Sequence, residues 1–167
     1  MTTTTWNDLL GSSSFKIFLA SSFFTIISDQ LSKYFVETTK PIIQLSFLTI
    51  KYSTNTGAGF GLFQNNSFIL GIISLIAAIA VLFYYPKIPQ TKFNSIFMGI
   101  LLGGIIGNGI DRLTKQYVVD FIATSFWPSF NIADAAITIS TTYFIYYLLQ
   151  EEKKIKKNKE RRIRKKE

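Results

Sequence analysis

The sequence predicts a mainly helical membrane protein: four spanning helices in a bundle, with one or two short strands between the first and second. Three observations point there. Hydrophobic residues make up 48% of the 167 residues and charged residues only 17%, whereas a soluble domain usually carries about a quarter charged residues. Apolar runs recur along the chain near the roughly 20 residues that a helix needs to cross a bilayer. Between the first and second runs the pattern changes to β-branched, alternating residues and then to glycines. The length fits one domain. The chain has no cysteine and no histidine, which excludes disulfides, thiolate nucleophiles, imidazole bases and Cys/His zinc sites. Hydrolytic chemistry here must use carboxylates, hydroxyls, lysines or a carboxylate-bound metal.

Taken in order, residues 1–14 are polar and rich in Thr and Ser, with no basic stretch ahead of the first apolar run, so no cleaved leader is expected. The first span starts near Phe15 (FKIFLASSFFTIISDQLSKYFV) and is interrupted by Asp29 and Lys33. Four residues apart, they share a helix face and can pair. They read either as a snorkelling pair near the helix end or as an intramembrane functional pair. From Glu37 to Asn66, IIQLSFLTIKYS suggests one or two strands, and NTGAGFGLF a glycine-rich loop, at a membrane interface. That loop lacks the setting of a nucleotide-binding fingerprint.

The second span, Phe68 to Tyr85, is uncharged and ends at PKIPQTK. The third, Phe93 to Ile110, carries Gly99, Gly103, Gly104 and Gly107 at helix-packing spacings. The fourth runs from about Asn131 to Leu149 and closes on aromatic residues. Residues 15–150 thus form the core, with the strand region at about 40–66, and residues 151–167 a basic tail. Ten of the eighteen Lys and Arg residues lie beyond Glu152, so the net charge of +8 belongs to the tail. It is expected to set topology and contact anionic headgroups rather than nucleic acid.

Four spans put both termini on one side, with Lys16, Lys87, Lys92 and the tail, and the positive-inside rule makes that side cytoplasmic. The opposite face then collects Asp29, Lys33, Asn55, Asn108, Asp111, Arg112, Asp120, Asn131 and Asp134. Asn131 is expected to cap the last helix with Asp134 at its third position; capping alone would also explain Asp134. Asp120, framed by Val118, Val119 and Phe121, is expected to be desolvated, and Arg112 to partner the adjacent Asp111. Without His or Cys, two carboxylates sharing a proton are the natural acid and base.

Five stretches closely resemble the boxes of the lipoprotein signal peptidase (type II signal peptidase) family: SDQLSK (28–33), NTGAGF (55–60), GGIIGNGIDR (103–112), VVDF (118–121) and FNIAD (130–134). Each is weak alone; five in order are specific. The resemblance implies a four-span bacterial aspartic endopeptidase that cleaves diacylglyceryl-modified prolipoproteins just before the lipidated cysteine. It implies Asp120 and Asp134 as the catalytic dyad and substrate-binding or supporting roles for Asp29, Lys33, Asn55, Gly57, Asn108, Arg112 and Asn131. Asp111 is given a structural role beside Arg112. It implies no metal or other cofactor, a monomer in contact with membrane lipids and not nucleic acid, and the bacterial cytoplasmic (inner) membrane. The site would lie near the extracytoplasmic surface, beside a β-cradle formed by the segment after the first span. The chain departs from the family in its short connector after Asp120, its long basic tail, and Gly59, where Ala is commoner.

Other readings of the same residues are a small ion- or proton-coupled transporter using Asp29 and Asp134 as relays, and a non-catalytic scaffold that recruits partners through its tail. A Ser-Lys protease needs a serine and a lysine on one helix face, which neither Ser32–Lys33 nor Ser14–Lys16 provides. The transporter lacks a visible inverted repeat.

Overall fold

A computed structural model of the chain describes residues 9–59 and 62–164. Residues 1–8 of the polar N-terminal stretch, Phe60 of the NTGAGF box and the last three residues of the tail lie outside it. Four long helices alternate with three short strands: α1 (Ser13–Thr39), β1 (Ile42–Gln44), β2 (Leu48–Asn55), α2 (Ser67–Tyr84), α3 (Lys92–Thr114), β3 (Val118–Thr124) and α4 (Ile132–Arg164).

Local chemistry sets the boundaries. The Ser12 hydroxyl accepts from Phe15 N at the start of α1, and Thr91 does the same for Asn94 N in α3, each satisfying an otherwise orphaned amide. α1 ends where Lys40 turns left-handed (φ 45°) and its N–H closes on Val36 O. α2 gives way to a short 3-10 turn containing Pro86.

α3 is central and packs against α1, α2 and α4. Its small residues make this possible. A Cβ on Gly103 would come within 2.6 Å of Thr25 Cβ on α1, and one on Gly104 within 2.7 Å of Ala133 O on α4. Without a hydrophobic drive between helices in lipid, such close backbone approach is how bundles gain contact. The outward faces are apolar: Phe23, Phe24, Ile69, Ile76, Ile79 and Phe83 are all exposed, as a lipid-facing surface requires. By length and composition α2 with its 3-10 extension (Ser67–Lys87), α3 and α4 are able to cross a membrane. α1, interrupted by Asp29 and Lys33, falls outside that group.

The sheet corrects one expectation. β1 and β2 do follow α1, but the third strand, β3, comes from the connector between α3 and α4, giving the antiparallel order β1-β2-β3. VVDFIAT shows no polar alternation because Val118, Val119, Asp120 and Phe121 are all buried, so its period was hidden. The pairing places Ser53 opposite Asp120 and Asn55 opposite Val118, with a register shift between Ile50 and Ser53. Such irregularities re-aim neighbouring side chains. Val36, Val119 and Phe121 form a small core where the sheet meets the bundle. The basic tail is helical as far as it is described, because α4 continues unbroken to Arg164.

Candidate active site

Asp120 and Asp134 reach the site from different elements. Asp120 projects from the middle of β3 and is 3% exposed. Asp134 sits in the first turn of α4, where Asn131 N donates to Asp134 Oδ2 (3.2 Å) and Asp134 N donates to Asn131 Oδ1 (2.9 Å). That is the reciprocal cap expected from the sequence. Both aspartates line one cavity of about 170 Å³, together with Asn55, Gly59, Arg112, Val118, Trp127, Pro128, Ser129 and Phe130. A Cβ on Gly59 would meet nothing within 4 Å, so the glycine leaves open space at this rim.

Three asparagines orient the carboxylates, and each has its own carbonyl held by a group that can only donate. Asn55 Oδ1 accepts from Gly57 N (2.9 Å), which turns Nδ2 toward Asp120 Oδ2 (3.0 Å). Asn131 Oδ1 accepts from Asp134 N, so its Nδ2 donates to Asp120 Oδ1 (2.7 Å). Asn108 Oδ1 accepts from Lys33 Nζ (2.9 Å), and its Nδ2 donates to Asp134 Oδ1 (2.7 Å). An amide whose oxygen faces a cation or an N–H has only one sensible orientation. Each amide nitrogen therefore has a carboxylate oxygen as an acceptor, and Asn131 Nδ2 also reaches Asn108 Oδ1 (3.2 Å) and Val119 O (3.4 Å).

Burial and the neighbouring Asp134 charge together push Asp120 up to about 6, against the hydrogen bonds from Asn55 and Asn131, which favour the ionised form. A carboxyl so placed can hold a proton close to neutral pH.

Behind this pair lies a second polar cluster. Lys33 Nζ pairs with Asp29 Oδ2 (2.7 Å) and Asp111 Oδ2 (2.9 Å) and donates to Asn108 Oδ1 (2.9 Å). Asp29, Lys33 and Asp111 are 0% exposed. The pair on α1 is thus buried and not snorkelling. Asp29 Oδ1 also accepts from Ala133 N (2.9 Å) in the first turn of α4, and a Cβ on Gly107 would come within 2.6 Å of Asp29 Oδ2. Asp111 pairs with Lys33 and, at 3.5 Å, with Lys115, so its ion-pair partners lie elsewhere than at the neighbouring Arg112. Arg112 instead lines the cavity, and its Nη2 donates to Gly57 O (3.3 Å). Gly57 is tightly enclosed: a Cβ there would stand 2.5 Å from Leu62 O.

The structure thus gathers Asp29, Lys33, Asn55, Gly57, Asn108, Asp111, Arg112, Asp120, Asn131 and Asp134 into one connected region. Sequence reasoning missed the walls. Trp127 and Phe130 line both the polar cavity and an adjoining apolar groove of about 410 Å³ with Phe126, Ala135, Thr138 and Ile139. The aromatic density of SFWPSF was the available signal. It also missed the brace of Glu37, which accepts from Lys115 Nζ (2.8 Å) and Tyr117 OH (2.6 Å) beside β3. No group of three or more His, Cys, Asp or Glu able to hold a metal occurs among the described residues.

The chain is similar to known proteins. A family model described as signal peptidase (SPase) II matches residues 21–150. A lipoprotein signal peptidase of Moorella thermoacetica is 36% identical over 139 residues, covering 79% of this chain and 92% of its own. Two solved structures, each titled as a bacterial membrane enzyme determined by the in meso method, are similar in fold. One, at 2.3 Å resolution, has a TM-score of 0.76 and 32% identity over 81% of this chain and 88% of its own. The other, at 1.9 Å, has a TM-score of 0.71 and 31% identity over 89% and 97%.

Proposed function

The chain belongs to the signal peptidase II family, and we propose on that premise that Asp120 and Asp134 are its catalytic dyad. Family membership makes it a bacterial membrane protease that removes signal peptides from prolipoproteins. The finer reading is aspartic hydrolysis of the peptide bond just before a diacylglyceryl-modified cysteine. One observation carries it: two carboxylates from separate elements meet in a single cavity, and the three fixed amides around them donate and never compete for the proton.

The two aspartates are unequal. Asp134 has an N–H donor on each oxygen, and we assign it as the base. Asp120, pushed up to about 6, is the acid. In the proposed reaction, Asp134 takes a proton from water as the water oxygen bonds to the scissile carbonyl carbon. Asp120 gives its proton to the carbonyl oxygen, so the intermediate is a neutral gem-diol. Collapse returns a hydroxyl proton to Asp120, Asp134 protonates the leaving nitrogen, and the C–N bond breaks. The Arg112 guanidinium at the cavity wall can orient the substrate backbone, and the adjoining apolar groove suits an acyl chain.

In the membrane we read α1 as a fourth span, its Asp29 and Lys33 sheltered inside the bundle. Both termini are then cytoplasmic and the sheet and site extracytoplasmic, in the inner membrane, with the protein acting as a monomer. The test uses purified protein and a diacylglyceryl-modified precursor. Asp120→Asn and Asp134→Asn should each abolish cleavage while leaving protein levels normal, and turnover retained in either variant would end the dyad assignment. Proteoliposomes of the wild-type protein should show peptide cleavage and no charge movement, the reverse of what a transporter predicts.

A further inference from the structure

The basic end of α4 lies beyond residues 21–150, the part that carries the family likeness. α4 holds 33 residues, roughly 50 Å at about 1.5 Å per residue, whereas a hydrocarbon core is roughly 30 Å thick. At least three helical turns therefore emerge from the bilayer, and residues 152–164 are all exposed.

The charges there are not evenly used. Lys154 pairs with Glu151 and Lys156 with Glu152, both at 2.7 Å. Among the described residues no ion pair takes up Lys153, Lys157, Lys159, Arg161, Arg162 or Arg164. At about 100° per residue, Lys153, Lys157, Arg161 and Arg164 fall within an arc of about 80°, bordered by Glu160. The helix therefore presents one unneutralised cationic stripe along its length. Residues 151–167 contain no Phe, Tyr or Trp, so the aromatic platforms on which single-stranded nucleic acid stacks are missing. Continuity with the span tethers the stripe close to the bilayer surface.

We propose that this stripe is a docking face for anionic phospholipid headgroups of the leaflet where α4 leaves the bilayer. Four like charges on one face repel one another in water and are relieved by a negatively charged surface. Binding tilts the end of α4 down so that Lys153, Lys157, Arg161 and Arg164 meet the phosphates.

The absence of native cysteine makes a single-label test clean. Ile163→Cys, coupled to a fluorophore in the full-length protein, is reconstituted into phosphatidylcholine alone or into an equal mixture with phosphatidylglycerol, each with a headgroup-attached quencher. Quenching should rise at least about twofold in the anionic bilayer, fall back near 1 M salt, and be lost when Lys153, Lys157, Arg161 and Arg164 are all changed to Gln. Precursor cleavage should persist in that variant, showing that the bundle is intact. Equal quenching in the two bilayers overturns the proposal, as does a rise that survives the four substitutions. Relief of quenching by a single-stranded RNA would assign the face to nucleic acid instead.

Discussion

Two buried carboxylate clusters lie side by side in this molecule and differ in one respect. In the first, Asp29 and Asp111 flank Lys33, whose Nζ lies 2.7 to 2.9 Å from an oxygen of each and of Asn108. In the second, Asp120 and Asp134 accept from amides, form no ion pair among the described residues, and open on a cavity of about 170 Å³ that Arg112 also lines. A cation satisfies charge and leaves nothing to transfer. Amides satisfy geometry but leave two carboxylates that resist joint ionisation, and so a proton to share. The clusters meet at Asn108, whose oxygen faces Lys33 and whose nitrogen faces Asp134. On the proposed reading the ion-paired cluster is structure and the amide-bound one is chemistry, with the first aligning the second.

The largest expected effect tests that division directly. Asp134→Asn or Asp120→Asn should lower kcat by roughly 10³-fold or more, with thermal stability at neutral pH held or raised. If instead either variant lost stability and kept activity, the roles of the clusters would be reversed.

Next in size is Lys33→Met. It strands Asp29 in a dry interior and leaves Asp111 only the longer contact with Lys115, which costs about 3–5 kcal/mol, so the expected result is a large fall in melting temperature or in yield. The double variant Lys33→Met/Asp111→Asn separates folding from alignment. The wild-type cluster carries two negative charges and one positive, and the double variant one negative charge alone, so the net charge is unchanged. It should recover much of the lost stability yet turn over about 10-fold slower or worse, because Asn108 no longer has a cation to fix its amide. Wild-type kcat in the double variant would mean that the lysine only holds the helices together.

A smaller effect concerns Asp120 and the stability of the fold. Its folded value near 6 lies above the ordinary 3.8, so between those values the folded state binds more protons than the unfolded one. Stability must then fall as pH rises through that window, the loss being complete above about 6. Asp120→Asn should therefore stabilise the protein by up to roughly 3 kcal/mol at pH 8 and give no gain below about pH 4. Thermal unfolding at the two pH values reads the difference directly, and an equal effect at both would show that the carboxyl is not held up by its surroundings.

Much of this was legible in the residues because the signals were local. Asn131 and Asp134 are three apart and form the reciprocal cap that such spacing predicts; Asp29 and Lys33 are four apart and do pair. The gathering of polar groups at one end followed from where the apolar runs begin and stop. Long-range partners left no such trace. Asp111 lies 78 residues from Lys33, and nothing near it says that it will face that lysine rather than Arg112. β3 was invisible as a strand because its partner, β2, precedes it by a whole helical hairpin and its buried face and sheet-facing residues are all apolar except Asp120. That the fourth helix runs on past its apolar stretch was hidden for a different reason: polarity marks where lipid stops, not where a helix does.

The smallest predicted effect decides which aspartate holds the proton. Asn55 Nδ2 donates to Asp120 Oδ2 at 3.0 Å and favours the ionised carboxylate. Asn55→Ala removes that donor, so Asp120 should keep its proton to higher pH. If Asp120 is the acid, kcat/KM falls as it ionises, and the alkaline limb of the pH profile should move upward in the variant. Gly57 N loses its acceptor at the same time, so KM should rise as the loop beside Arg112 loosens. The direction of the limb is the discriminating reading. An upward move leaves Asp120 as acid and Asp134 as base. A limb that stays in place while the acid limb rises would exchange them, because the same substitution would then be making it harder to ionise the base.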